Sequence, residues 1–227
     1  MKSHSLVFLL LYIFVSSCIS KQEEDKVVYL YPSERIISDS LGVPDRPDHI
    51  SYLPKQLTFM LNDSIYTERL NSDEDERWAH LILYTVEEPV LYNFYLERDI
   101  YRWICARSLH SKFVMTLNKE QNEIWIEVKV IDIANEKGSF FLMYNKEKSF
   151  KKNLSLKDWL EFDDKFRNTL PFSYIAEYHT QIDGSVWWIE VHKKDYYGLI
   201  KEQSPSGMVF DFGRHLNALS DLKEEIY

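Results

Sequence analysis

Apolar and polar positions alternate most regularly in the middle of the chain. Ile124, Ile126, Val128 and Val130 recur at every second position, which predicts a strand from Glu123 to Ile133 with one buried face. The longest apolar run that still carries charge is Ile100 to Asn118. Within it, Tyr101 to Leu117 reads as one strand, followed by a polar hairpin loop over residues 118–122. Ser139 to Tyr144 reads as a third strand. Val186 to His192 and Tyr196 to Glu202 read as a hairpin joined through Lys193, Lys194 and Asp195, with a turn at Asp183, Gly184 and Ser185 before it.

Helical spacing appears elsewhere. Ser72 precedes an acidic run that suits the positive end of a helix, and Trp78, Leu81, Ile82 and Thr85 then keep helical spacing. Val90 to Glu97 is ambiguous; Leu91, Phe94 and Tyr95 fit a helix with Pro89 in its first turn. Ser155 and Asp158 make a capping box for a helix to about Asn168, with Leu156, Trp159, Leu160, Phe162 and Phe166 on its apolar face. Phe212, Leu216, Leu219 and Leu222 mark a last helix over 210–222. Strand runs with helices between and after them predict an α+β fold. The expected architecture is a mainly antiparallel sheet of about five strands with helices packed on it.

The first 50 residues differ in character. Lys2, an apolar run over 6–15, and Ser16, Ser17 and Cys18 form a charged, then apolar, then small-residue pattern. The run is short for a permanent bilayer span, which takes roughly 20 apolar residues. Val15 to Cys18 resembles a bacterial lipobox, in which Cys18 is acylated and becomes the first residue; Val15 and Ser17 depart from its preferred residues. The resemblance implies a signal peptide over 1–17 and attachment to the cell envelope through a lipid on Cys18. Glu23, Glu24 and Asp25 resemble the export signal of surface lipoproteins in some Gram-negative bacteria, and read equally as a solvated tether. Residues 18–50, broken by Pro32, Pro44 and Pro47, read as that tether. Val27 to Tyr31 either belongs to it or adds an edge strand to the body. The globular domain is expected over 51–227.

Composition narrows the partners. The chain has 227 residues, 45% of them hydrophobic, and a net charge of −9. That balance excludes a disordered chain and lacks the basic footprint of a nucleic-acid binder. It suits a partner with a basic surface. The seven histidines are scattered without metal-ligand spacing, and no glycine-rich phosphate loop is present, so neither metal nor cofactor is expected. With Cys18 acylated, Cys105 has no intrachain disulfide partner, and its apolar run predicts a buried, inert thiol.

The chemical candidates are Glu190, Arg107, His110 and Asp183. Ser185, His110 and Asp183 form a serine triad on paper, but Ser185 follows a turn and lacks a strand-to-helix elbow. Glu190 shares a strand face with Trp188 by period two, in a run apolar enough to bury it. It reads either as half of a structural ion pair or as an acid working with a second carboxylate, such as Glu127, on a polysaccharide. Arg102 and Arg107 have opposite parity, so only one shares a face with Glu190. Arg107 is the expected partner.

Tyr101-Arg102, Arg107-Ser108-Leu109-His110, Asp183-Gly184-Ser185 with Trp187 and Glu190, and Ser204-Pro205 follow one another in the order found in a group of uncharacterised bacterial proteins. The resemblance spans roughly residues 100–220. Where that group more often has Phe, this chain has Leu109. Where it usually has Arg-Trp, this chain has Glu202-Gln203. The resemblance implies one folded unit in which Arg107 and Glu190 matter, and no particular activity. The sequence thus leads to a lipid-anchored envelope or surface protein that binds a macromolecular partner, in the manner of an immunity-type inhibitor. The second reading is an envelope polysaccharide hydrolase using Glu190.

Overall fold

The computed structural model describes residues 27–46, 51–61, 63–69, 73–107, 110–134, 143–167, 173–175 and 184–222. The signal and lipidation readings at 1–18, the acidic run at 23–25 and Asp183 lie outside them.

The fold is α+β. In chain order the elements are β1 (Val27–Tyr29), β2 (Gln56–Leu61), β3 (Ser64–Arg69), α1 (Asp73–Thr85), β4 (Asp99–Arg107), β5 (Lys112–Glu120) and β6 (Glu123–Ala134). They continue with β7 (Met143–Asn153), α2 (Leu156–Arg167), β8 (Ser173–Ile175), β9 (Ser185–Lys193), β10 (Tyr196–Gln203) and α3 (Gly207–Ser220). Seven strands form one sheet in the order β7-β6-β5-β4-β9-β10-β8, in which only β8 runs parallel to its neighbour. β1, β2 and β3 form a second, antiparallel sheet.

The large sheet is covered on both faces. Tyr101, Trp103, Cys105, Phe113, Met115, Trp187 and Ile189 point to one side, where Trp159, Phe162 and Phe166 of α2 and Phe212 and Leu216 of α3 close the core. Ile100, Ile104, Val114, Trp188, Tyr197 and Leu199 point to the other, beneath α1 and the small sheet. Successive strand residues alternate sides, so one β4 segment feeds two cores.

The aromatic layer is tight. Trp103 and Trp187 lie 4.4 Å apart between ring centroids, and Trp103 meets Phe113 edge-on at 4.9 Å. Helix α3 comes down on these rings at Gly213. A Cβ there would lie 2.8 Å from Trp103 and closer still to Trp187. The absence of a side chain is what lets α3 approach.

The predicted capping box of α2 is present. The Ser155 hydroxyl accepts from the Asp158 amide at 3.2 Å, and the Asp158 carboxylate accepts from the Ser155 amide at 2.9 Å. The buried face is narrower than expected, because Leu156 and Leu160 are exposed. In α1 the buried face is Ala79, Ile82 and Leu83, and Trp78 is exposed.

Three expectations are corrected. Tyr101 to Leu117 is two antiparallel strands, β4 and β5, not one. The sheet therefore exceeds the five strands expected. Residues 91–98 form bends with no helix, because side chains from the sheet take their backbone groups, as described below. Residues 27–46, inside the span read as a tether, pack on the body. Val27–Tyr29 pairs with Phe59–Leu61, the Tyr29 amide donates to Asp195 O at 2.9 Å, and the Asn93 side chain bonds Glu34 O and the Ile36 amide. The edge-strand alternative for Val27 to Tyr31 is the one seen.

Gly213→Ala would gain helix propensity yet drive a methyl into two rigid indoles. We expect a net loss of about 1–3 kcal/mol, read as a lowered urea midpoint; an unchanged midpoint would mean the α3 packing is looser than described.

Candidate functional site

The sequence places charge in the middle of β4 and β9, and the register brings it together. Arg102 stands directly across from Glu190, whereas Arg107 stands across from Ser185. The expected Arg107–Glu190 pair is thus replaced by Arg102–Glu190. The register decides it: Arg102 and Glu190 point to the same face, and Arg107 to the other.

Arg102 and Glu190 are both 0% exposed. The Arg102 Nε donates to Glu190 Oε2 at 2.7 Å, and Nη2 donates to the same oxygen. The Tyr197 hydroxyl donates to Glu190 Oε1 at 2.8 Å. On its other side, Arg102 Nη1 donates to Pro89 O at 2.7 Å and to Glu88 Oε2 at 3.4 Å. Glu88 also holds Lys129 Nζ at 2.6 Å, and Lys129 donates to Val86 O at 3.0 Å. Two cations and two carboxylates share one interior cluster. A lone buried ion would be costly, and here each has a partner of opposite charge.

The two carboxyls differ. Burial pushes Glu190 above the ordinary carboxylate range, with Arg102 and Tyr197 pulling against it. Burial acts on Glu88 in the same sense, but Lys129 and Arg102 together outweigh it and hold that group below its ordinary value.

His192 extends the cluster along β9. Its Nδ1 donates to Leu91 O at 2.7 Å, and its Nε2 accepts from the Leu96 amide at 3.1 Å. The Tyr31 hydroxyl lies 3.1 Å from Nδ1 and donates to Lys193 O at 2.8 Å. This is a neutral imidazole with both nitrogens engaged. Burial lowers its pKa to about 3.

The remaining candidates lie apart. Arg107 donates through Nε and Nη2 to Ser111 O at 3.0 and 2.7 Å and stacks over Phe113. His110 is exposed. Ser185 is buried and accepts from Trp187 Nε1 at 2.9 Å, which occupies the would-be nucleophile. Cys105 is buried, and desolvation pushes its thiol up, as expected of an inert core cysteine. Among the described residues no group of His, Cys, Asp and Glu is arranged to hold a metal.

Sequence reasoning missed Glu88, Lys129 and Tyr197. Lys129 gave one usable signal, a charge inside an otherwise apolar strand. Glu88 sits outside any periodic element and gave none. It also missed Asp163 of α2, which accepts from Tyr101 at 2.6 Å and binds Lys193 and Arg167.

A concavity open to solvent lies elsewhere. A cleft of about 620 Å³ opens beside β1 and β2, bordered by Tyr29, Tyr31, Tyr92, Pro54, Glu34 and Lys55. Tyrosine hydroxyls brace its walls: Tyr29 donates to Tyr92 O and Tyr92 to Ser51 O, each at 3.1 Å.

Compared with known protein families, proteins of established function and solved structures, the chain gives no match.

Two predictions follow from the interior geometry. Glu190→Gln removes the nearer counter-charge of Arg102 and leaves it only Glu88, at 3.4 Å; it should cost about 3 kcal/mol, while Arg102→Met with Glu190→Leu should recover much of it. Melting curves of the three chains check this, and an unshifted Glu190→Gln midpoint would refute it. For His192 the folded pKa lies below the unfolded value of about 6.5, so the unfolded chain binds the extra proton. Its stabilisation is complete above about pH 6.5 and declines as pH falls toward about 3, by at most roughly 1.4 kcal/mol per unit. His192→Gln should flatten the stability profile between about pH 6.5 and 4.5.

Proposed function

We propose that this protein is held at the bacterial cell envelope by a lipid on Cys18 and binds a macromolecular partner, in the manner of an immunity protein or inhibitor. The observation that carries the reading is where the acids lie. Glycoside hydrolysis needs two carboxyls flanking an accessible bond. Glu190 and Glu88 are sealed in the interior by Arg102 and Lys129, and among the described residues the cleft beside β1 and β2 has one acid, Glu34, on its border. Tyrosine and proline walls fixed by hydrogen bonds suit recognition, since rigid aromatic faces give contact area at low entropic cost. A net charge of −9 favours a basic partner and an association rate that falls with salt.

The anchor and the binding surface are tested separately. Metabolic labelling with a fatty acid should mark the wild-type chain and leave Cys18→Ser unlabelled. An unlabelled wild type would remove the anchor. The Cys18→Ser chain, used as bait against envelope extract, should retain a partner that Gln56→Trp loses, because Gln56 lines the cleft and is exposed. Equal capture by both, or release of soluble sugar from envelope polysaccharide by the bait alone, would overturn the binding reading.

A further inference from the structure

The two sheets end differently. β7, at one edge of the large sheet, carries Lys146, Lys148, Lys151 and Lys152, the kind of edge that resists pairing. β3, at the edge of the small sheet, has no proline, no lysine and no bulge. Among the described residues no strand pairs with its outer side. Ile65 is 70% exposed and Tyr66 47% exposed on this strand. An open, unblunted edge is a template for another strand.

The register fixes which backbone groups are free. Only two residues separate Leu61 from its partner Ser64. In such a hairpin the closing pair is hydrogen-bonded, so Ser64, Tyr66 and Glu68 bond toward β2. Ile65, Thr67 and Arg69 then turn their amides and carbonyls outward. The Thr58 and Thr67 hydroxyls, 3.4 Å apart, fit a close, non-hydrogen-bonded pair at that position.

We infer that β3 pairs antiparallel with β3 of a second copy, joining the two small sheets into one of six strands. The sequence of the strand is self-complementary about Tyr66. Antiparallel pairing centred there sets Tyr66 against Tyr66, Ile65 against Thr67 and Ser64 against Glu68. Aromatic faces aromatic and β-branched faces β-branched. The outward-facing odd positions pair with one another, as an antiparallel ladder requires. Tyr66 falls at a non-hydrogen-bonded pair, where side chains approach most closely, and its ring is already stacked on Phe59 at 5.8 Å. The contact is isologous, so it closes at two copies and leaves β1 as the outer strand.

The test uses the chain from residue 18 with Cys18→Ser, which leaves Cys105 as its only, buried, thiol. Light scattering during size exclusion should give twice the monomer mass. Thr67→Pro removes an outward amide and should halve that mass, with circular dichroism confirming that the fold is kept. Should Thr67→Pro fail to fold, a gain of function decides instead. Tyr66→Cys places two thiols at Cα positions about 4.5 Å apart, within disulfide reach. Ser64→Cys places them about 13 Å apart along the strands. Oxidation should link Tyr66→Cys into dimers and leave Ser64→Cys unlinked. A monomeric mass, or equal linking by the two cysteine variants, would overturn the inference.

Discussion

The rest of the structure depends on one contact, the pairing of Arg102 with Glu190 at the centre of the seven-stranded sheet. Both groups are removed from water, so every remaining polar atom around them must be satisfied within the protein. Glu190 has two oxygens to fill, and Tyr197 takes the one Arg102 leaves. Arg102 has donors left over, and the chain after α1 supplies acceptors at Pro89 and Glu88. Glu88 in turn requires Lys129. Through this sequence of demands, β4, β5, β6, β9, β10 and the 86–98 segment are held in one arrangement; Thr116 of β5 joins by donating to Glu88 at 3.3 Å.

Much of the fold was legible because burial imposed a period. Ile124, Ile126, Val128 and Val130 do share one core, and Trp188 shares its face with Glu190. The β9–β10 hairpin and the α2 capping box were equally readable from local chemistry. The reading failed where burial is two-sided. Between Tyr101 and Leu117 both faces are covered, which erases alternation. The residues between β4 and β5, Ser108 to Ser111, include neither glycine nor proline, so nothing marked the reversal. The partner of Glu190 could be narrowed by parity to one of two arginines, but choosing between them needed the register of β4 against β9, which is set by contacts far apart in sequence.

The ambiguous stretch from Val90 to Glu97 is not helical, for an instructive reason. Leu91, Phe94 and Tyr95 have helical spacing, yet a helix would need Leu91 O and the Leu96 amide for its own ladder. His192 takes both. Arg102 likewise takes Pro89 O. Side chains on the sheet thus replace the hydrogen bonds that a helix would have made, and the backbone runs as a series of bends.

That substitution also accounts for charge in so costly a position. Apolar residues of similar volume would fill the space at Arg102 and Glu190, and replacement of that kind is often neutral or stabilising. They would leave Pro89 O without its donor, and an apolar residue at 192 would strand Leu91 O and the Leu96 amide. An irregular segment can lie against a sheet interior only if that interior offers donors and acceptors at fixed points. Arg102 and His192 provide them from adjacent strands on one face. Arg102 and His192 are therefore committed to routing the backbone. Among the described residues, the surfaces left open lie where the layers end: the cleft beside β1 and β2, and the outer edge of β3.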